Sequence, residues 1–171
     1  LKRKKLQNYV PNDLLSYLRK ISDLNLKRNL DILKQISFLS AVFNKLKIDH
    51  VFLKGAAVLI SSPYEAKIER MIGDVDVLVS KKDLLRSQQE LINEGFEVLF
   101  NEFSFTKGVF SKNQGKHHLE RIVHPDYIAA VEIHRRLLKK NNNLIVPNDV
   151  LENKVQSKDG YWIPSEYHLW Q

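Results

Sequence analysis

Apolar residues recur three and four apart through the first part of the chain. Over residues 11–22, Leu14, Leu15, Leu18 and Ile21 share a face and Pro11 stands near the first turn, which predicts a short helix. Over 24–47, Leu26, Leu30 and Leu33, then Ile32, Ile36, Leu39, Phe43 and Leu46, form one broad stripe. Lys27, Arg28, Lys34 and Lys45 fall mostly outside it, so a second, longer amphipathic helix packed on a sheet is expected. The period then changes. His50-Val51-Phe52-Leu53 reads as a short buried strand ended by Lys54-Gly55, and 55–62 as a helix of a turn or two. Gly73-Asp74-Val75-Asp76-Val77-Leu78-Val79 alternates as a strand does. An amphipathic helix over 82–94 stops at Gly95, and a strand follows over 96–100. Strands over 117–124 and 127–135 flank a turn at His124-Pro125-Asp126-Tyr127, with a loop or irregular hairpin at 102–115, a loop at 141–147 and a short helix at 148–154. This order predicts an α+β or mixed α/β fold whose sheet is at least partly antiparallel.

With 171 residues there is room for one domain with a full core, or a domain plus an appendage. A composition of 43% hydrophobic and 27% charged residues with few Gly and Pro excludes a disordered or collagen-like chain. The absence of Cys excludes a disulfide scaffold, a thiolate zinc site and a cysteine nucleophile, and fits a cytoplasmic location. No apolar run approaches the ~20 residues of a membrane span, so no membrane partner is expected. The net charge of +7 invites a nucleic-acid reading, but its distribution argues otherwise. Residues 1–50 hold 11 Lys and Arg against 4 acids, and residues 51–171 hold 16 of each. A phosphate-reading face would run through the chemistry as well, so nucleic acid is not the expected partner. The chain opens on Leu1 rather than Met, and Pro164, Ser165 and Glu166 read as a helix start. The expected layout is therefore helices over 1–49, a core domain over 50–163, and over 164–171 the start of a helical part that continues beyond the last residue.

Three features carry candidate chemistry. On a strand, Asp74 and Asp76 share one face and Val75, Val77 and Val79 the other. Paired carboxylates repel unless wet, protonated or holding a cation, and such hard oxygen donors suit Mg²⁺ or Mn²⁺. In Val131-Glu132-Ile133-His134, Glu132 and His134 likewise share a face. A tight hairpin would set His117 opposite His134 and Leu119 opposite Glu132, and a loop one residue longer would bring in His118 instead. Two His and a Glu could also bind zinc, which keeps a zinc hydrolase among the readings. Third, Leu53-Lys54-Gly55-Ala56-Ala57 places a Gly turn and a cation at a helix start, where phosphate can sit, although no Walker or dinucleotide fingerprint is present.

Together, Phe52-Leu53-Lys54-Gly55, Tyr64, the run from Arg70 through Met71, Ile72 and Gly73 to Asp74-Val75-Asp76-Val77-Leu78-Val79, and Glu132-Ile133-His134 resemble an uncharacterised bacterial nucleotidyltransferase family. That family, in the DNA polymerase beta-like nucleotidyltransferase superfamily, carries Lys-Gly in place of the usual Gly-Ser. The resemblance spans roughly residues 25–170 and implies a mixed sheet flanked by helices, with amphipathic helices in front. It implies that Asp74, Asp76 and Glu132 hold divalent metal and do the catalysis, with Mg²⁺ or Mn²⁺ as cofactor. It further implies nucleotide contacts at Lys54, Gly55 and Arg70, Gly55 lying at the triphosphate. Arg70 reads equally well as one half of a structural ion pair. His117, His118 and His134 are candidates for residues behind the metal ligands or beside the acceptor. Ala56 departs from the superfamily, standing where a phosphate-contacting Ser is usual.

The expected activity is metal-dependent transfer of a nucleoside monophosphate from an NTP to a hydroxyl of a small molecule or protein. The alternative is a catalytically weak or inactive nucleotidyltransferase-like binding module, which Ala56 favours and the three retained acids oppose.

Overall fold

A computed structural model describes residues 6–63, 67, 70–99, 118–137 and 146–166. After a 3-10 turn at Leu6–Tyr9, one α-helix, α1, runs from Asn12–Lys45. The two helices expected over 11–22 and 24–47 are thus a single helix of 34 residues, about 50 Å long. The reason is local: Ser22-Asp23-Leu24-Asn25 contains neither Gly nor Pro, and polar residues alone do not stop a helix. Among the described residues, burial along α1 begins only at Asn29, and Leu14, Tyr17, Ile21 and Leu24 in its first half are exposed.

The end of α1 is a Schellman cap. Ile48 N–H donates to Phe43 O (2.9 Å) and Lys47 N–H to Asn44 O (3.0 Å), with Lys47 at φ 55°. The reversal feeds strand β1 (His50–Phe52), then α2 (Lys54–Ser61), β2 (Asp74–Val79) and α3 (Leu84–Asn93). The same cap closes α3, with Gly95 at φ 98° and Phe96 N–H on Leu91 O (3.0 Å). Strands β3 (Glu97–Val98), β4 (Ile122–Val123) and β5 (Ala130–His134) follow, then α4 (Pro147–Glu152) and a small antiparallel pair, β6 (Val155–Gln156) and β7 (Trp162–Ile163), absent from the sequence reading. The strands expected over 96–100 and 117–124 are therefore shorter than read. The segments 102–115 and 141–147 lie almost wholly outside the described residues, as do His117, Tyr64 and residues 167–171 of the helix start expected over 164–171.

The five-stranded sheet has the order β1-β2-β5-β4-β3. It is mixed: β2 and β5 run parallel, and the other neighbours are antiparallel. One face carries Val75, Val77, Val79, Val131 and Ile133 into a core with Ile32, Ile36, Leu39 and Phe43 of α1, Ala56, Ala57, Leu59 and Ile60 of α2, and Leu84 and Leu91 of α3. On the opposite face Leu78 joins Val51, Leu53 and the α4 residues Val150 and Leu151 in a second, smaller cluster. The same face carries Asp74, Asp76, Glu132 and His134. Helix α1 also fixes the approach to β2: Asn29 Nδ2 donates to Arg70 O (2.7 Å) and Arg28 Nε to Ile72 O (3.0 Å). Part of the N-terminal basic excess is thus used inside the fold.

Candidate active site

Register assembles the site. Parallel pairing of β2 with β5 sets Asp76 beside Glu132 and Leu78 beside His134. Alternation turns Asp74, Asp76, Glu132 and His134 away from the main core, as their spacing predicts. Asp76, Glu132 and His134 are nonetheless buried, at 2%, 5% and 0% exposure, while Asp74 at the strand's start is half-buried. A buried carboxylate needs partners, and each has them. Asp76 Oδ1 accepts from Lys54 Nζ (2.5 Å) and from His134 Nε2 (2.7 Å). Burial raises the Asp76 carboxyl, but these two hydrogen bonds and the charges behind them outweigh it, and its pKa falls below the ordinary 3.8. Glu132 Oε2 lies 3.4 Å from His134 Nε2.

Lys54 reaches Asp76 because of how β1 ends. Leu53 N–H donates to Asp76 O (2.9 Å), which carries the β1–β2 ladder up to the residue before Lys54. Lys54 then adopts φ 48°, a left-handed conformation costly for a residue with a Cβ, and opens α2. Gly55 follows at a close approach, where an added Cβ would lie 3.4 Å from Ile72 Cγ2. The N–H groups at this helix start have no intrahelical carbonyl to bind, so they suit an anion. Ala56 faces the main core at 0% exposure, leaving Lys54 as the side chain of this turn that meets the acids.

Arg121 belongs to the site and was missed in the sequence. Its Nε donates to Glu132 Oε1 (2.5 Å) and its Nη2 to Asp74 Oδ2 (3.1 Å), so it bridges two of the three acids. The bond to Glu132, with the charges of Glu132, Asp74 and Asp76, raises the guanidinium pKa further. A β-bulge explains why it was missed. Ile122 pairs with Val131, whereas His118 bridges to His134, so residues 119–121 stand against only 132 and 133. A regular hairpin of either length considered above puts a different residue opposite Glu132. The turn itself was legible, and Tyr127 N–H closes it on His124 O (3.1 Å).

The other expected residues divide. His118 stands opposite His134, as the longer hairpin predicts. Its Nδ1 donates to Leu119 O (2.6 Å) and its Nε2 lies 3.9 Å from Glu132 Oε2. The Arg70 side chain is exposed, and its carbonyl rather than its guanidinium is held by Asn29. His117 lies outside the described residues.

Asp76, Glu132 and His134 each offer a ligand atom, and these atoms lie within 4.8 Å of one another. Two carboxylates and an imidazole make a donor set that fits a divalent cation. Asp74 stands outside that group and is joined to it through Arg121. Among the described residues no helix is long and apolar enough to cross a membrane.

A search of curated proteins finds no match to this chain. A family model described as "Uncharacterised nucleotidyltransferase" matches residues 1–169, nearly the whole chain and all of the acidic face, and the chain belongs to that nucleotidyltransferase family.

Proposed function

We propose that this protein transfers a nucleoside monophosphate from an NTP to a hydroxyl of a small molecule or protein, with Mg²⁺ or Mn²⁺ as cofactor. The observation that carries this reading is the side-by-side register of Asp76 and Glu132 on the non-core face of the sheet, next to a cation-bearing helix start. Asp74, Asp76 and Glu132 would hold the metal, which when bound polarises the α-phosphate and makes the acceptor hydroxyl more acidic. The chain's own residues supply the rest. Lys54 and the N–H groups at Gly55 bind phosphate oxygens, and Arg70, whose side chain is exposed, is a further candidate cation for the nucleotide. His134, buried against Asp76, holds that carboxylate in one orientation. His118, whose Nε2 lies 3.9 Å from Glu132 Oε2, is the described candidate for a residue that meets the acceptor. In the reaction the acceptor oxygen bonds to the α-phosphorus, its proton is released, and the bond to the β-phosphate oxygen breaks to free pyrophosphate.

A weakly active or inactive nucleotide-binding module is the second reading. It is favoured by Ala56, whose side chain is in the core, and by side-chain cations already lying on all three acids. Calorimetry with ATP, CTP, GTP and UTP plus Mg²⁺, run beside a pyrophosphate assay with hydroxyl acceptors, separates the two. Binding with pyrophosphate release that Asp76→Asn abolishes supports the transferase. Heat without pyrophosphate favours the module, and no binding of any NTP removes both.

A further inference from the structure

The three acids do not stand open to an incoming ion. Arg121 occupies Glu132 Oε1 and Asp74 Oδ2 at once, and Lys54 lies on Asp76. Arg121 is a cation across Asp74 and Glu132, two of the three carboxylates that the metal reading assigns to a divalent ion. Two like charges a few ångströms apart on the same acids repel strongly where solvent is partly excluded, so guanidinium and ion compete for them. The two ends of the bridge differ in a useful way. Glu132 is buried, at 6% side-chain exposure, whereas the Arg121 side chain is 53% exposed and has room to swing outward. It is carried by the bulged segment 119–121 beside β5 rather than by a regular ladder position. A guanidinium freed there stands at the rim of the acidic cluster, on the same face as Lys54, and its planar fork matches phosphate oxygens in pairs.

We propose that Arg121 is an exchangeable counter-ion of this site: it bridges Asp74 and Glu132 in the metal-free protein, and on binding of metal and NTP it leaves them for the phosphate chain. This rests on the metal and nucleotide reading above. Arg121 keeps the acids together and compensated before the ligands arrive, and the same charge then helps hold the triphosphate. By linkage, whatever favours the bridged state weakens metal binding without nucleotide, and by the same factor metal loosens the bridge.

The test is Mn²⁺ binding, followed by electron paramagnetic resonance, for wild type, Arg121→Gln, Arg121→Lys and Asp76→Asn, each alone and with a non-hydrolysable NTP. Arg121→Gln should bind Mn²⁺ alone about tenfold more tightly than wild type and bind the NTP analogue about tenfold more weakly. Arg121→Lys should fall between, since one ammonium cannot span both carboxylates. If Arg121→Gln does not fold, as judged by its melting curve, Arg121→Lys decides by the same two signs. A plain structural brace predicts the opposite sign, with metal affinity lowered when Arg121 is removed. Unchanged or weaker Mn²⁺ binding in the folded variant overturns the proposal while leaving the metal reading intact, provided wild type binds Mn²⁺ in an Asp76-dependent way. Absence of Asp76-dependent Mn²⁺ binding in every protein, with and without nucleotide, overturns both.

Discussion

Gln35 grips Ala129 by both backbone groups: its Nε2 donates to Ala129 O (2.8 Å) and its Oε1 accepts from Ala129 N–H (3.2 Å). The amide is fully buried on α1, and Ala129 immediately precedes β5, so this clasp sets where Glu132 and His134 begin their run. Gln35→Leu removes the clasp and strands two buried backbone groups, an expected loss of about 1–3 kcal/mol in urea unfolding. Activity should fall further than stability alone accounts for, because β5 loses its anchor.

Asp76→Asn keeps the shape of the side chain and removes the charge that Lys54 and His134 share. Pyrophosphate release is expected to drop at least about a hundredfold, with the circular dichroism spectrum unchanged. Wild-type turnover in this variant would sink the catalytic assignment.

Lys54 holds φ 48° and its ammonium lies on Asp76, so backbone strain and a site contact coincide at one residue. Lys54→Gly relieves the backbone and loses a half-exposed ion pair, effects of opposite sign, so thermal unfolding should shift by no more than about 1 kcal/mol equivalent. The KM for NTP should rise clearly. Stability and function separate at this residue.

The two Schellman caps make a matched pair. Gly95→Ala forces a Cβ into a positive φ and to within 2.9 Å of His124 Nε2, and should cost about 1–2 kcal/mol. Lys47→Gly, at φ 55°, should instead raise stability by up to about 1 kcal/mol. Denaturant midpoints of the two variants should move in opposite directions.

His50 is buried between Phe43 and Phe52, with Nδ1 on Ile48 O (3.0 Å) and Nε2 without a hydrogen-bond partner among the described residues. Burial pushes its pKa below the ordinary 6.5, against the smaller opposing effect of the Ile48 carbonyl. Below 6.5 and down to the folded value, the unfolded chain takes up a proton that the folded chain does not. Its contribution is therefore whole above pH 6.5 and is lost as pH falls through that window, at no more than about 1.4 kcal/mol per pH unit. His50→Asn can keep the bond to Ile48 and cannot titrate, so its stability should vary less between pH 7 and 5 than that of wild type.

Residue period determined the elements and their faces. The α1 stripe, the alternation of Asp74 and Asp76 against Val75 and Val77, the pairing of Glu132 with His134 on one face, and the stop at Gly95 are all local properties of the chain, and all hold in the fold. Local pattern was weaker where the deciding interaction is not local. Lys47 ends α1 in the conformation usually left to glycine, and nothing in its identity announces that. Ser22 to Asn25 looked like a break, yet contains no residue that breaks a helix. The parallel neighbouring of β2 and β5 sets Asp76 beside Glu132 across 56 residues of chain, and the alternation within each strand fixes its buried face but not its neighbour or direction. Arg121 lay furthest from reach. A single extra residue in a bulge moved it onto Glu132 and Asp74, and one residue of register on a strand decides which face a side chain joins. Sequence determined which residues carry charge and which way each strand turns them; only tertiary packing, through register between strands distant in the chain, decided which cation meets which acid.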